Sequence, residues 1–327
     1  MQFSLIICTR DRSEALARLL NSVNKQTLYP NEILVIDSSS NEDTEQLDLP
    51  KKYFNLKYFR VGRDNSGLTR QRNYGIEKSC KNSELICFLD DDIVLEPNYF
   101  KELITTYLDL PDAIAVGGWI KDETKWKAVT SDYKPSFDEF LIDGYVRTLG
   151  RRNVIRKSLR LLSTKPPGFM PEFSHGFSTG YLPPSGNIYR VEYFMGGVSS
   201  YRRKLFDHIE FSPYFEGYGL YEDMDFCLRA SKIGKLYVNT AAQVWHLHEQ
   251  RGRPNDFNYG RMVIENGYYV WKIKYPKSGF SSKFKYFSIN ILLMVLRFIN
   301  GIGGNKGGFR DAIGRCLGLF KVLILKS

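Results

Sequence analysis

"ELICFLDDDIVLEP", residues 84–97, carries an almost unbroken apolar run straight into three aspartates. Such a run reads as a strand covered on both faces, the situation of strands inside a parallel sheet. Asp90, Asp91 and Asp92 then stand at the strand's end, where carboxylates packed this tightly repel one another unless a cation neutralises them.

Similar runs surround it. "FSLIIC" (3–8), "EILVID" (32–37) and "LKYFRV" (56–61) precede it, and "AIAVGG" (113–118) follows. Between the first two, Leu16, Leu19, Leu20 and Val23 recur at helical spacing, with Ser13 placed to cap the helix. Pro97 is placed for the first turn of the helix after the aspartates. Strands alternating with helices predict an open α/β sheet, whose ligands bind beyond the carboxyl ends of the strands. Thr9-Arg10-Asp11, Asp37-Ser38-Ser39 and the aspartate triplet would therefore meet on one rim.

The rhythm breaks at 119–190, a stretch rich in Pro, Gly, Tyr and basic residues ("STKPPGFMPEFSHGFSTGYLPPSGNIY") that reads as a long irregular insertion. Regular patterning returns in "YFMGGVSSYRRKLFD" (193–207), in the acidic "YGLYEDMDFCLRASKIG" (218–234), and in the strand-like "KLYVN" and "AQVWHLHEQ". "YFSINILLMVLRFINGI" (286–302), at roughly 16 residues with an arginine inside, is short of the ~20 needed to span a bilayer. With the basic-apolar "IGRCLGLFKVLILKS" it reads as interfacial helices on an anionic membrane; the alternative is a helical pair packed on the domain or on a partner chain. The predicted segments are 1–118, 119–190, 191–255 and a helical tail, 256–327.

The 327 residues carry a formal net charge of +10. That balance favours anionic partners such as phosphorylated small molecules and anionic lipid. No zinc-finger, RNA-recognition or helix-turn-helix signature accompanies it, so nucleic acid is not expected. The 21 Tyr and 22 Phe suit carbohydrate or membrane-interface contact as well as an ordinary core. Five cysteines without paired spacing predict reduced thiols, and the short apolar N-terminal stretch reads as a strand rather than a signal peptide. Both point to a cytoplasmic protein, and the tail to the inner face of the membrane.

Acid clusters after strands, a basic turn and late histidines suit a metal-dependent reaction on a diphosphate. The order "ICTRDR", "VIDSSS", "NSGLTRQRNYG", "FLDDDIVLEP", "MGGVSSYRR", "YEDMDFCLR" and "VWHLH" resembles the family 2 glycosyltransferases, over roughly residues 1–250. The resemblance implies the GT-A fold, a Rossmann-like open mixed sheet flanked by helices. It also implies an inverting, metal-dependent transfer of a sugar from a nucleoside-diphosphate donor to a glycan or lipid-linked acceptor; the basic charge and apolar tail suggest surface polysaccharide synthesis.

The resemblance assigns roles residue by residue. Thr9, Arg10 and Asp37 would face the nucleotide, and a ring N–H bonded to Asp37 would favour a UDP or dTDP donor; the other reading of Asp37 is a turn cap. Arg72 and Asn73 would lie near the nucleotide, with Arg72 also a candidate ion-pair partner of the aspartates. Asp90 would face the ribose, Asp91 support it, and Asp92 bind Mg²⁺ or Mn²⁺. Gly196 and Gly197 would let the backbone approach sugar or acceptor. Asp223 would be the base and Glu222 would contact the acceptor, while Asp225 would pair with Arg229 four residues on. His246 or His248 would add a metal ligand; strand alternation puts both on one face and does not separate them. "DSSS" departs from the family's more frequent "DDGS". Two other readings remain: a nucleotidyltransferase acting on a sugar phosphate, and a non-catalytic membrane-associated binding protein.

Overall fold

Each apolar run of the first 120 residues forms a strand in the computed structural model, which describes residues 1–121, 124–215, 217–248 and 254–325. The insertion and tail read from the sequence thus include residues 122–123 and 326–327, which lie outside the described residues. The first strands are β1 (Phe3–Thr9), β2 (Glu32–Asp37), β3 (Leu56–Arg60), β4 (Leu85–Asp90), the short β5 (Ile93–Leu95) and β6 (Ala113–Ile120). Between them lie helices α1 (Ser13–Val23), α2 (Leu49–Lys52), α3 (Leu68–Lys78) and α4 (Tyr99–Asp109). Residues 127–158 add β7 (Lys127–Ala128), β8 (Glu139–Ile142), β9 (Tyr145–Thr148) and α5 (Arg151–Ser158). The chain continues through β10 (Ile188–Val191), β11 (Val198–Arg202), α6 (Glu222–Ala230) and β12 (Lys235–His246). It closes with α7 (Asp256–Lys274), α8 (Phe280–Ile302) and α9 (Lys306–Leu325).

These elements form two compact units, Met1–Lys125 with Thr179–Gly252 and Trp126–Ser178 with Arg253–Ser327. The first is built on a nine-stranded sheet in the order β10-β12-β6-β11-β4-β1-β2-β3, with β5 paired to β12. β1 pairs in parallel with β2 and β4, and β2 with β3. β11 runs antiparallel between β4 and β6, which makes the sheet mixed. All six residues of β2 are buried, as is β4 up to Asp90. The helical stripe Leu16, Leu19, Leu20 and Val23 is fully buried against the β1–β2–β4 core. Each such aliphatic side chain stabilises the fold by about 1.5–3 kcal/mol through the apolar area it hides from water.

Three local expectations change. Ser13 is the first residue of α1 rather than its cap; Arg12 holds the cap position and makes no side-chain cap bond. Pro97 precedes Asn98, the cap of α4, and so stays outside the helix. "KLYVN" and "AQVWH" are one strand, β12, irregular in register between Val238 and Gln243.

In the second unit, β7-β9-β8 form a small antiparallel sheet, so the stretch read as irregular holds strands of two to four residues, too short for alternation to register. The same unit contains the C-terminal helices, and the two parts interlock. The Trp271 indole donates to the Glu172 carbonyl at 2.7 Å, and Tyr286 stacks on Trp271 with ring centroids 4.4 Å apart. Leu161 packs with Ile289 and Leu293. α8 has 23 residues, which by length and composition suffices to cross a membrane, so the shorter length read from the sequence understates it. Ile291, Val295, Phe298 and Ile302 of α8 stay exposed at helical spacing, as do Ile313, Leu317, Phe320 and Ile324 of α9.

Candidate active site

Parallel strands end together, so the loops after β1, β2 and β4 come to one rim of the first unit. They are knitted by short polar contacts. The Asp11 backbone N–H donates to Ser39 Oγ at 2.7 Å, while Ser40 N and Oγ donate to Asp11 Oδ1. Gln71 of α3 donates to the carbonyls of Thr9 and Ile36, tying the helix to both strand ends. Beside these loops lies a cavity of about 650 Å³ lined by Arg10, Arg63, Arg70, Ser38, Ser39 and Gly62 among others. Its size suits a small-molecule ligand, and three guanidinium groups favour an anionic one.

Asp91 is the buried middle member of the triplet. Thr9 Oγ1 donates to it at 2.7 Å and Arg12 Nη1 at 2.9 Å. Burial nevertheless dominates and pushes its carboxyl up to about 6. Asp90 opens toward solvent, and its Oδ1 lies 3.6 Å from Arg72 Nη2. Arg72 itself is buried, with its guanidinium over the rings of Phe88 and Phe211 at 5.5 and 5.1 Å. Its other end meets Glu222 Oε1 at 2.6 Å. Glu222 is buried, and its second oxygen has no hydrogen-bond partner. Burial pushes its carboxyl up to about 8 against the pull of Arg72.

The acidic segment sits at the start of α6, where backbone N–H groups favour carboxylates. Asp223 Oδ1 accepts from the Met224 N–H at 2.7 Å, and Oδ2 accepts from the Gly196 N–H at 3.1 Å. Burial raises its carboxyl, partly offset by those two backbone donors. Gly196 and Gly197 pass close to these acids. A Cβ at Gly197 would lie 2.1 Å from Asp90 Oδ2, and one at Gly196 would lie 2.7 Å from Glu222 Oε1. Only glycine lets this turn press against both carboxylates. Asp225 is buried and paired to Arg229 Nη2 at 2.6 Å, as the four-residue spacing predicts.

Asp92 is buried, with Oδ1 3.3 Å from His246 Nε2 and Oδ2 3.8 Å from Arg12 Nη1. β12 ends at His246, so His248 lies beyond the strand with a φ of 55°, and its ring packs on that of His246 at 4.1 Å. The face-sharing argument therefore does not reach His248. Among the described residues no three His, Cys, Asp or Glu side chains gather to hold a metal unaided. A carboxylate and an imidazole facing each other do fit a divalent cation that takes its other ligands from a diphosphate and water.

Several residues stand elsewhere than their expected contacts. Thr9 is buried and turned to Asp91. Asp37 is fully buried: Ser39 N and Oγ donate to Oδ1 and Tyr58 OH donates to Oδ2, the contacts of a turn cap. Asn73 spends both ends of its amide on the Phe211 backbone, at 2.8 and 3.0 Å, and clamps the segment before α6. Gly196 and Gly197 press on side chains of the protein itself. The rim brings together Arg10, Asp90, Asp91, Asp92, Arg72, Glu222, Asp223 and His246. Sequence reading missed Arg12, Tyr58, Gln71, Arg63 and Arg70; of these, Arg12, Gln71 and Arg70 lay inside motifs already singled out.

Residues 4–197 match the profile of glycosyl transferase family 2, more than half of the chain. The chain is 26% identical over 137 residues to the glucosyl-dolichyl phosphate glucuronosyltransferase of Haloferax volcanii, 41% of this chain and 42% of that protein. It is 35% identical over 103 residues to the poly(ribitol-phosphate) beta-N-acetylglucosaminyltransferase TarP of Staphylococcus aureus, 31% of each. These matches span under half the length of either relative. Among solved structures, GalNAc-T7 with UDP, GalNAc and Mn²⁺ superposes with a TM-score of 0.51 at 21% identity, over 80% of this chain and 47% of that one. That likeness establishes the GT-A type of fold for the mixed sheet and its helices. The profile match, together with the acidic rim at the strand ends, places the chain in glycosyl transferase family 2.

Proposed function

We propose that this chain transfers a sugar, with inversion, from a nucleoside-diphosphate donor to a glycan or lipid-linked acceptor at a membrane surface. The observation that carries this reading is the meeting of two acid groups, Asp90–Asp92 and Glu222–Asp223, beside an arginine-lined cavity. The names of the relatives, one acting with a dolichyl phosphate and one on poly(ribitol-phosphate), support a phosphate-bearing acceptor in surface glycan synthesis.

The donor's phosphates would lie against Arg10, Arg63 and Arg70, whose charges bind and orient them. Asp92 and His246 would hold a divalent cation, which when bound supplies Lewis-acid stabilisation of the charge on the departing diphosphate. Asp223 takes the proton of the acceptor hydroxyl as its oxygen bonds to the anomeric carbon and the carbon–phosphate-oxygen bond breaks. Its raised carboxyl makes it a stronger base than an ordinary aspartate, and the two backbone donors fix its direction. Arg72 orients Glu222 and Asp90 from behind. A preference for UDP or dTDP would need Asp37 to turn from Ser39 and Tyr58 to a ring N–H of the base.

The exposed apolar stripes of α8 and α9, with Lys283, Lys285 and Arg310 on the same helices, support docking on the cytoplasmic face of an anionic membrane. A thermal-shift screen of UDP, dTDP, GDP and CMP, each with Mn²⁺ and with EDTA, tests the donor site. One nucleotide that raises the melting temperature only with metal supports it; no shift with any of them overturns it.

A further inference from the structure

The second unit contains a cavity of about 430 Å³ that the sugar-transfer reading does not use. It lies between β8 and the segment that follows α5. Phe140, Leu149, Leu162 and Phe177 supply apolar wall, and Phe140 and Phe177 pack with ring centroids 4.8 Å apart. Lys157, Arg160 and Lys165 also line it. Arg160 and Lys165 are exposed, while Lys157 donates to the Phe137 carbonyl at 2.7 Å. The one acid in the lining, Glu139, accepts from Tyr133 OH and from the Ser136 N–H and is turned to them.

The chain on one side of this cavity is strongly basic. Residues 147–165 include Arg147, Arg151, Arg152, Arg156, Lys157, Arg160 and Lys165, and no Asp or Glu. An apolar wall beside exposed cations is complementary to a molecule that is apolar along its body and anionic at one end. A free anion would leave the wall wet, and an uncharged chain would leave the cations without a counter-charge. Each methylene buried against such a wall is removed from water and favours binding, and a phosphate adds charge-assisted hydrogen bonds to Arg and Lys.

We propose that this cavity binds a single-chain lipid phosphate, with the chain against Phe140, Leu149, Leu162 and Phe177 and the phosphate at Arg160 and Lys165. The site goes beyond the transferase reading and stands without it, because binding there requires neither nucleotide nor metal.

The test is calorimetric titration of the full chain with dodecyl phosphate below its micellar concentration, with inorganic phosphate and dodecyl maltoside as parallel ligands. Dodecyl phosphate is expected to bind at least tenfold more tightly than either. In R160E/K165E, two exposed positions, that binding should fall at least tenfold while the melting temperature stays within a degree or two of wild type. Leu162→Asn, which removes apolar wall without adding charge, should weaken dodecyl phosphate and leave inorganic phosphate unchanged. Equal binding of dodecyl phosphate by wild type and R160E/K165E would overturn the proposal, and would place any uptake on the apolar stripes of α8 and α9. Phosphate as tight as dodecyl phosphate, or no binding at all, would overturn it too. None of these outcomes bears on nucleotide binding.

Discussion

Arg72 and Glu222, 150 residues apart in the chain, meet at 2.6 Å with both side chains buried. The contact joins α3 to the start of α6, and the same guanidinium reaches Asp90 at 3.6 Å. One buried cation thus sets the direction of an acid from each of the two groups that the proposed reaction needs. Removing Arg72 leaves a buried carboxyl oxygen of Glu222 without its donor, which costs about 1–3 kcal/mol. Arg72→Met should lose stability on that scale in urea unfolding, and Arg72→Met with Glu222→Leu should recover much of it. Losses that simply add would show that the two side chains are not coupled.

Gly197→Ala tests the close turn. A methyl group there would lie 2.1 Å from Asp90 Oδ2, so that carboxylate must move. Binding of a nucleoside diphosphate with Mn²⁺ is expected to weaken at least tenfold. Gly279→Ala, where a Cβ has nothing within 4 Å, is the matched control and should bind as wild type. Equal affinity in both variants would remove Asp90 from the donor site.

Much of this was legible in the sequence, and the remainder has a common cause. Strands β1, β2 and β4 are buried on both faces, so their apolar runs are continuous and their ends marked by the polar residues of the rim. Asp225 with Arg229 follows from helical spacing alone. The partners of Asp37 and Asn73 did not follow, because Tyr58 and the Phe211 backbone reach them only through the fold. Arg12 was hidden for the same reason: one residue before a helix it resembles surface charge, and only the return of β4 beside β1 brings Asp91 to it. In the second unit, strands of two to four residues leave no alternation to read.

Stability should fall as pH rises through the range where Glu222 titrates. Its carboxyl is raised from the ordinary 4.5 to about 8, so between those values the folded protein keeps a proton that the unfolded chain releases. Folding is therefore favoured at the lower end of this window and loses that contribution toward the upper end. Glu222→Gln cannot titrate, and its urea midpoints at pH 5 and pH 8 should lie closer together than those of wild type. An equal separation of midpoints in the two proteins would mean that Glu222 is an ordinary carboxylate.

The apolar stripes of the last two helices predict membrane binding that exposed substitutions abolish. Ile302 and Phe320 are 72% and 63% exposed, so replacing both with Glu should leave the fold intact. Co-sedimentation of the double variant with anionic vesicles is expected to drop at least fivefold. Sedimentation equal to wild type would assign these stripes to another partner.

The most direct test compares Asp92→Asn and Asp223→Asn for nucleoside-diphosphate binding with Mn²⁺ and for sugar transfer from the corresponding donor. Asp92→Asn should weaken the metal-dependent binding at least tenfold. Asp223→Asn should bind the nucleotide within about twofold of wild type and lose transfer by a factor of 10² or more, the scale of a missing general base. Transfer at the wild-type rate by both variants would contradict the site proposed for this chain.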